Sequence, residues 1–148
     1  MIRHENAYHR AKKKLTQEQA RLDQLVRSLK EEGLGEDAIS RTTHHMTRDL
    51  DELSAQVTAY ERARDGELGE VVNLQGFGEL LVQARIARDI TQSELARRLE
   101  VDPSQVSKDE RLRYKGITLE RAQRVLTALE VIMVSSIRSS ASDYDEEE

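Results

Sequence analysis

Apolar residues in the first third of the chain recur every seven positions. Tyr8, Leu15, Leu22 and Leu29 form one series, Ala11, Leu25 and Val26 fill the same stripe, and Lys, Arg, Gln and Glu occupy the rest of the surface. A narrow apolar seam on a charged cylinder is the coiled-coil pattern, and it predicts a helix from about Glu5 to Glu32. Gly33-Leu34-Gly35 interrupts it, and Glu36 and Asp37 then suit the positive end of a new helix. A second series, Ile39, Met46, Leu53 and Tyr60 with Leu50 and Val57 between them, predicts a helix to about Arg64. Two such seams joined by a short glycine turn fold back as an antiparallel hairpin, with arms about 40 Å long at 1.5 Å per residue. A lone hairpin buries little apolar surface, so this one is expected to pair with a second copy or another protein.

Asp65-Gly66-Glu67-Leu68-Gly69 marks a domain boundary, after which residues 70–75 are read as a short strand. From Phe77 the pattern changes to four short helices, at about Phe77–Arg88, Gln92–Leu99, Pro103–Glu110 and Leu119–Glu130. Their start signals are explicit. Thr91-Gln92-Ser93-Glu94 is a capping box, Asp102-Pro103-Ser104-Gln105 supplies a cap and a first-turn proline, and Thr118 caps the last helix. The β-branched run Val131–Val134 is a second candidate strand. The expected organisation is all-α with one or two short strands: a hairpin for assembly or partner binding at 1–65, a linker at 66–76, a helical domain at 77–134 and a disordered acidic tail at 135–148.

Composition narrows the function classes. The 148 residues contain no cysteine, which excludes disulfides, thiolate zinc sites and a cysteine nucleophile. No apolar run approaches the ~20 residues that span a bilayer, and the N-terminus has no signal-peptide core, so a soluble cytoplasmic protein without a membrane partner is expected. His44 and His45 adjoin on one helix and His4 and His9 are five apart, spacings of surface histidines rather than of a metal pair. Lys12-Lys13-Lys14 is read as a solvated helix face, with DNA backbone contact as the alternative. The glycines of Gln75-Gly76-Phe77-Gly78 lack the Gly-Lys-Ser/Thr of a phosphate loop. No catalytic constellation stands out, so the expectation is a non-enzyme with neither cofactor nor metal. The net charge of −5 hides a gradient: residues 1–75 carry 12 basic and 14 acidic groups, 76–142 carry 11 and 9, and 143–148 carry five acids and no base.

The stretch richest in information runs from Arg85 to Arg111. Two short capped helices are joined by a turn of about three residues, and Leu95, Ala96 and Leu99 of the first face Val101 and Val106 of the second. Ala96 is small where two helix backbones would cross. This is helix-turn-helix spacing, which frees the second helix to enter a major groove. The string Thr91-Gln92-x-x-Leu95-Ala96-x-x-Leu99-x-Val101-x4-Val106-Ser107-x-x-Glu110-Arg111 resembles the XRE class of lambda-repressor-like helix-turn-helix domains, found in phage repressors and bacterial antitoxins.

The resemblance covers about residues 77–131 and implies specific roles. Gln92 would bind phosphate, and Pro103, Ser104, Gln105 and Lys108 would face base edges, with Gln suited to adenine, Lys to guanine and Pro to a thymine methyl. Arg111, Arg113 and Lys115 would meet phosphates, and Arg85 and Glu110 would form a structural ion pair. Two departures are visible. Glu100 stands where glycine is usual, so the turn is expected to carry a positive φ, and Asp109 replaces a large apolar residue whose place Tyr114 would fill. The implied protein is a dimeric, cytoplasmic repressor of bacterial or phage origin. It would bind operator DNA and regulate its own operon, with a toxin as a further partner. The rival reading is a protein–protein scaffold in which the hairpin is the active part and the helix-turn-helix a docking module.

Overall fold

A computed structural model describes residues 1–69 and 71–136; Glu70 and residues 137–148, which hold most of the expected acidic tail, lie outside the described residues. Six helices follow one another: α1 (Glu5–Glu31), α2 (Glu36–Arg64), α3 (Phe77–Ala87), α4 (Gln92–Leu99), α5 (Pro103–Arg111) and α6 (Leu119–Ala128). The fold is all-α. No strand occurs among the described residues, which corrects the strands expected at 70–75 and 131–134. Asn73 and Leu74 take φ of 51° and 62°, incompatible with extended backbone, and sit in a turn that leads into α3. Val131 closes the end of α6 by donating its N–H to the Leu126 carbonyl, and the β-branched run beyond it has no strand to pair with.

The predicted hairpin forms. The Tyr8 hydroxyl donates to Glu61 Oε1 at 2.6 Å and the Tyr60 hydroxyl to Glu5 Oε2 at 3.0 Å, so the start of α1 lies against the end of α2. The two tyrosine rings stack with centroids 4.9 Å apart. Burial and the Glu5 carboxylate push the Tyr60 phenol up to about 12. Along the seam Tyr8, Leu22, Ile39, Leu50, Val57 and Tyr60 are buried, and Leu15, Leu29, Met46 and Leu53 are half-buried. Thr43 completes the α2 series in the alternating spacing of four and three. A search for apolar residues passes over it, yet it is buried because its hydroxyl donates to the Ile39 carbonyl at 2.9 Å.

The turn between the arms is a Schellman motif. Gly33 takes φ +81°, its N–H donates to the Lys30 carbonyl, and the Leu34 N–H reaches back to Leu29. The same pair of hydrogen bonds ends the other helices, but Asp89, Glu100, Arg113 and Glu130 occupy the left-handed position after α3, α4, α5 and α6.

The hairpin is not a separate body on a linker. One continuous apolar cluster joins Ile2, Tyr8, Val57, Tyr60 and Ala63 to Leu81, Val82, Ile86, Leu95, Val106 and Leu129. The boundary read at 65–69 marks a change of pattern in the chain, and the core crosses it. Beyond Leu15, the α1 arm contributes nothing to that cluster.

Gly78 ties the start of α3 to the loop after α5: a Cβ there would lie 1.8 Å from the Arg113 carbonyl oxygen. Gly78→Ala is therefore expected to cost about 1–3 kcal/mol, the range for forcing atoms into a filled site. Urea unfolding followed by circular dichroism measures it, and an unchanged midpoint would show that the loop yields freely.

Candidate nucleic-acid interface

Local chemistry sets the two helices of the motif. The Thr91 hydroxyl accepts the Glu94 N–H at 3.1 Å to start α4, and Asp102 Oδ1 accepts the Ser104 N–H at 2.8 Å to start α5. The Ser104 hydroxyl and N–H beside Asp102 hold that carboxyl below its usual range. Between the helices Glu100 turns the chain at φ +56°, as its place in the glycine position led one to expect. Leu95, Ala96, Leu99 and Val106 are buried where α4 meets α5.

Beneath the motif lies a charged cluster closed to water. Arg85 Nε donates to Glu110 Oε1 at 2.5 Å and Nη2 to Oε2 at 2.9 Å, a bidentate pair with side chains 4% and 0% exposed. Arg85 Nη1 also donates to the Ile90 carbonyl at 2.7 Å, and Nη2 to the Arg3 carbonyl at 2.6 Å. Gln92 Nε2 adds a third donor to Glu110 at 2.7 Å. Tyr114 fills the neighbouring core with its ring. Its hydroxyl has no partner among the described residues, and burial together with nearby Glu110 pushes the phenol well above its ordinary range. Asp109 is not a lost core contact: Gln105 Nε2 donates to it at 2.7 Å and Arg121 Nη2 at 2.5 Å.

At about 100° per residue, burial of Val106 and Glu110 aims Lys108 directly outward, flanked by Ser104 and Arg111. Pro103, Ser104, Lys108 and Arg111 are exposed. Gln105 lies at the edge facing α6, where one of its two amide N–H groups is given to Asp109. Gln92 is half-buried at the first position of α4 with an amide N–H committed to Glu110. Arg113 pairs with Glu79 at 2.8 Å, and Lys115 is exposed in the same loop. The structure thus groups Pro103, Ser104, Lys108 and Arg111 on one free face, and gives Gln92, Gln105 and Arg113 partners inside the protein.

Most of the basic groups in this half of the chain are committed elsewhere. Arg97 and Arg98 pair with Glu94, whose carboxyl they hold down to about 2. Arg88 pairs with Glu130, Arg121 with Asp109, and Arg124 donates to the Leu99 carbonyl. Among the described residues from 76 onward, Lys108, Arg111 and Lys115 alone make neither an ion pair nor a side-chain hydrogen bond. All three lie on α5 or the loop after it. Sequence reasoning missed Arg3, from the far end of the chain, whose Nη1 lies 3.4 Å from the Ser107 carbonyl of α5. It also missed His4, which caps α1 by accepting the Ala7 N–H on Nδ1.

Residues 81–131 match the family model for helix-turn-helix domains. No curated protein and no solved structure matches the chain.

Removing one partner of the buried pair leaves the other charge stranded. Glu110→Leu is expected to cost about 3–5 kcal/mol, and adding Arg85→Met to recover part of that loss. Chemical denaturation of both variants checks it; a double variant no better than the single one would show that the Arg85 bonds to carbonyls outweigh the pair.

Proposed function

We propose, from the premise that residues 81–131 are a helix-turn-helix domain of the XRE family, that this protein is a sequence-specific transcriptional repressor acting as a dimer. The observation that carries the reading is the clustering of Lys108, Arg111 and Lys115, left without acid partners among the described residues, on and after the second helix of the motif. Lys108 and Ser104 face outward to read base edges, and Arg111 and Lys115 meet phosphates. Gln105 would contribute through its amide oxygen and its second amide N–H, since only one N–H is given to Asp109. Nothing in this reading asks for a catalytic step, a cofactor or a metal, and the protein would work in the cytoplasm.

Dimerisation is supported by an apolar groove of about 800 Å³ beside the end of α5, lined by Leu74, Phe77, Leu112, Ile117, Leu119 and Met133. Leu112, Leu119 and Leu74 are more than half exposed there. A second copy seated on it would bring two recognition helices together, with half-sites about 34 Å apart or at a multiple of that spacing. Control of its own operon and capture of a toxin are the finer roles that the antitoxin resemblance suggests.

Selection of bound duplexes from a random pool at two salt concentrations tests the reading. A palindromic consensus with steep salt dependence is expected. Lys108→Ala should relax base preference, whereas Arg111→Ala should weaken all sequences alike and lower the salt slope by ~1. Equal losses on selected and random DNA would remove Lys108 from base recognition, and no enrichment even at low salt would favour the hairpin as a protein-binding scaffold.

A further inference from the structure

We propose that Arg3, far outside the helix-turn-helix motif, is a DNA-phosphate contact, held at the edge of the recognition helix by the buried Arg85. This rests on the DNA-binding reading above and assigns that interface a residue from the opposite end of the chain.

The N-terminal four residues precede the first helix, where a chain end ordinarily frays. Here they are fixed at each position. The Met1 ammonium donates to Gln56 Oε1 at 3.1 Å, Ile2 is buried in the apolar cluster shared by hairpin and domain, and His4 caps α1. Between them the Arg3 carbonyl accepts Arg85 Nη2 at 2.6 Å. That guanidinium is itself locked by Glu110, so the Arg3 backbone sits in a fixed place relative to α5. Its side chain runs outward along the Ser107 edge of that helix, with Nη1 at 3.4 Å from the Ser107 carbonyl.

Arg3 makes no ion pair among the described residues. The Ser107 carbonyl is a neutral acceptor at long range, which leaves most of the guanidinium's five donors free. Lys108 and Arg111 follow on the same helix. A duplex seated on α5 would therefore find a cation on its Ser107 side as well as on its outer face, and a planar guanidinium suits a phosphate oxygen pair. The hydrogen bond from Arg85 is made to the Arg3 backbone, so the side chain can be changed without breaking the anchor.

The experiment is fluorescence anisotropy of a labelled mixed-sequence duplex with full-length protein across a salt series, comparing Arg3→Ala, Arg3→Lys and Arg3→Glu with the wild type. Arg3→Ala is expected to weaken binding roughly fivefold at low salt, the size of an exposed charge contact. It should also lower the salt slope by about 0.9, the value for one phosphate. Arg3→Lys should keep the slope, and Arg3→Glu should weaken binding further. Thermal midpoints should stay together, because the side chain is outside the core. Wild-type affinity and slope in Arg3→Ala would overturn this proposal and leave the DNA-binding reading standing. Absence of salt-dependent binding by the wild type itself would overturn both.

Discussion

A guanidinium and a carboxylate removed from water each carry a desolvation penalty of several kcal/mol, recovered only when every donor and acceptor finds a partner. Arg85 and Glu110 come close to that condition: all three guanidinium nitrogens and both carboxylate oxygens are hydrogen-bonded, with four of the five N–H donors used. Five hydrogen bonds converge on them, from Gln92, to each other, and to the carbonyls of Ile90 and Arg3. The partners come from the N-terminal segment, α3, the turn after it, α4 and α5. One buried pair therefore fixes the angle of the recognition helix, the start of the helix before it and the position of the chain's first residues. Its energetic return as an ion pair is small; what it supplies is a unique arrangement of pieces that apolar packing alone would hold less specifically.

The charge accounting acquires meaning only in three dimensions. A small basic excess over residues 76–142 gives weak grounds for nucleic-acid binding. Among the described residues most of those cations are consumed by helix C-terminal carbonyls and by local acids, and the few left over lie on α5 or the loop after it. Potential at an interface depends on which charges lack a partner, so a protein of net charge −5 can present a cationic face. The hairpin adds Arg3 to that face by packing its base into the domain core, which makes the two halves of the chain mechanically continuous.

Much of the fold was legible because its signals are local. Heptad spacing marked both hairpin arms, glycine marked the turn, and Thr91, Asp102 and Thr118 marked three helix starts to the residue. The Arg85–Glu110 pair was legible from the resemblance alone, since nothing in a sequence without homologues says that residues 25 apart will touch. What escaped reading was which partner each side chain or segment would find in the fold. Thr43 is buried because a helix interior offers its hydroxyl a carbonyl. Among the described residues the β-branched runs at 71–75 and 131–134 have no strand to pair with, so their propensity went unused. Gln105 and Arg113 are residue types that read DNA, and the fold also gives them Asp109 and Glu79 as partners.

Sequence by itself determined the periods, the caps and the motif, because each is set by backbone hydrogen bonding and side-chain spacing within a few residues. The resemblance implied that Ser104 and Lys108 face outward, and both are exposed. Tertiary structure decided which cations remain free, that hairpin and domain share one core, and that Arg3 lies beside the recognition helix. Those outcomes follow from the competition of many groups for few partners, and such a competition is resolved only once the chain has folded and the distances between its remote parts are fixed.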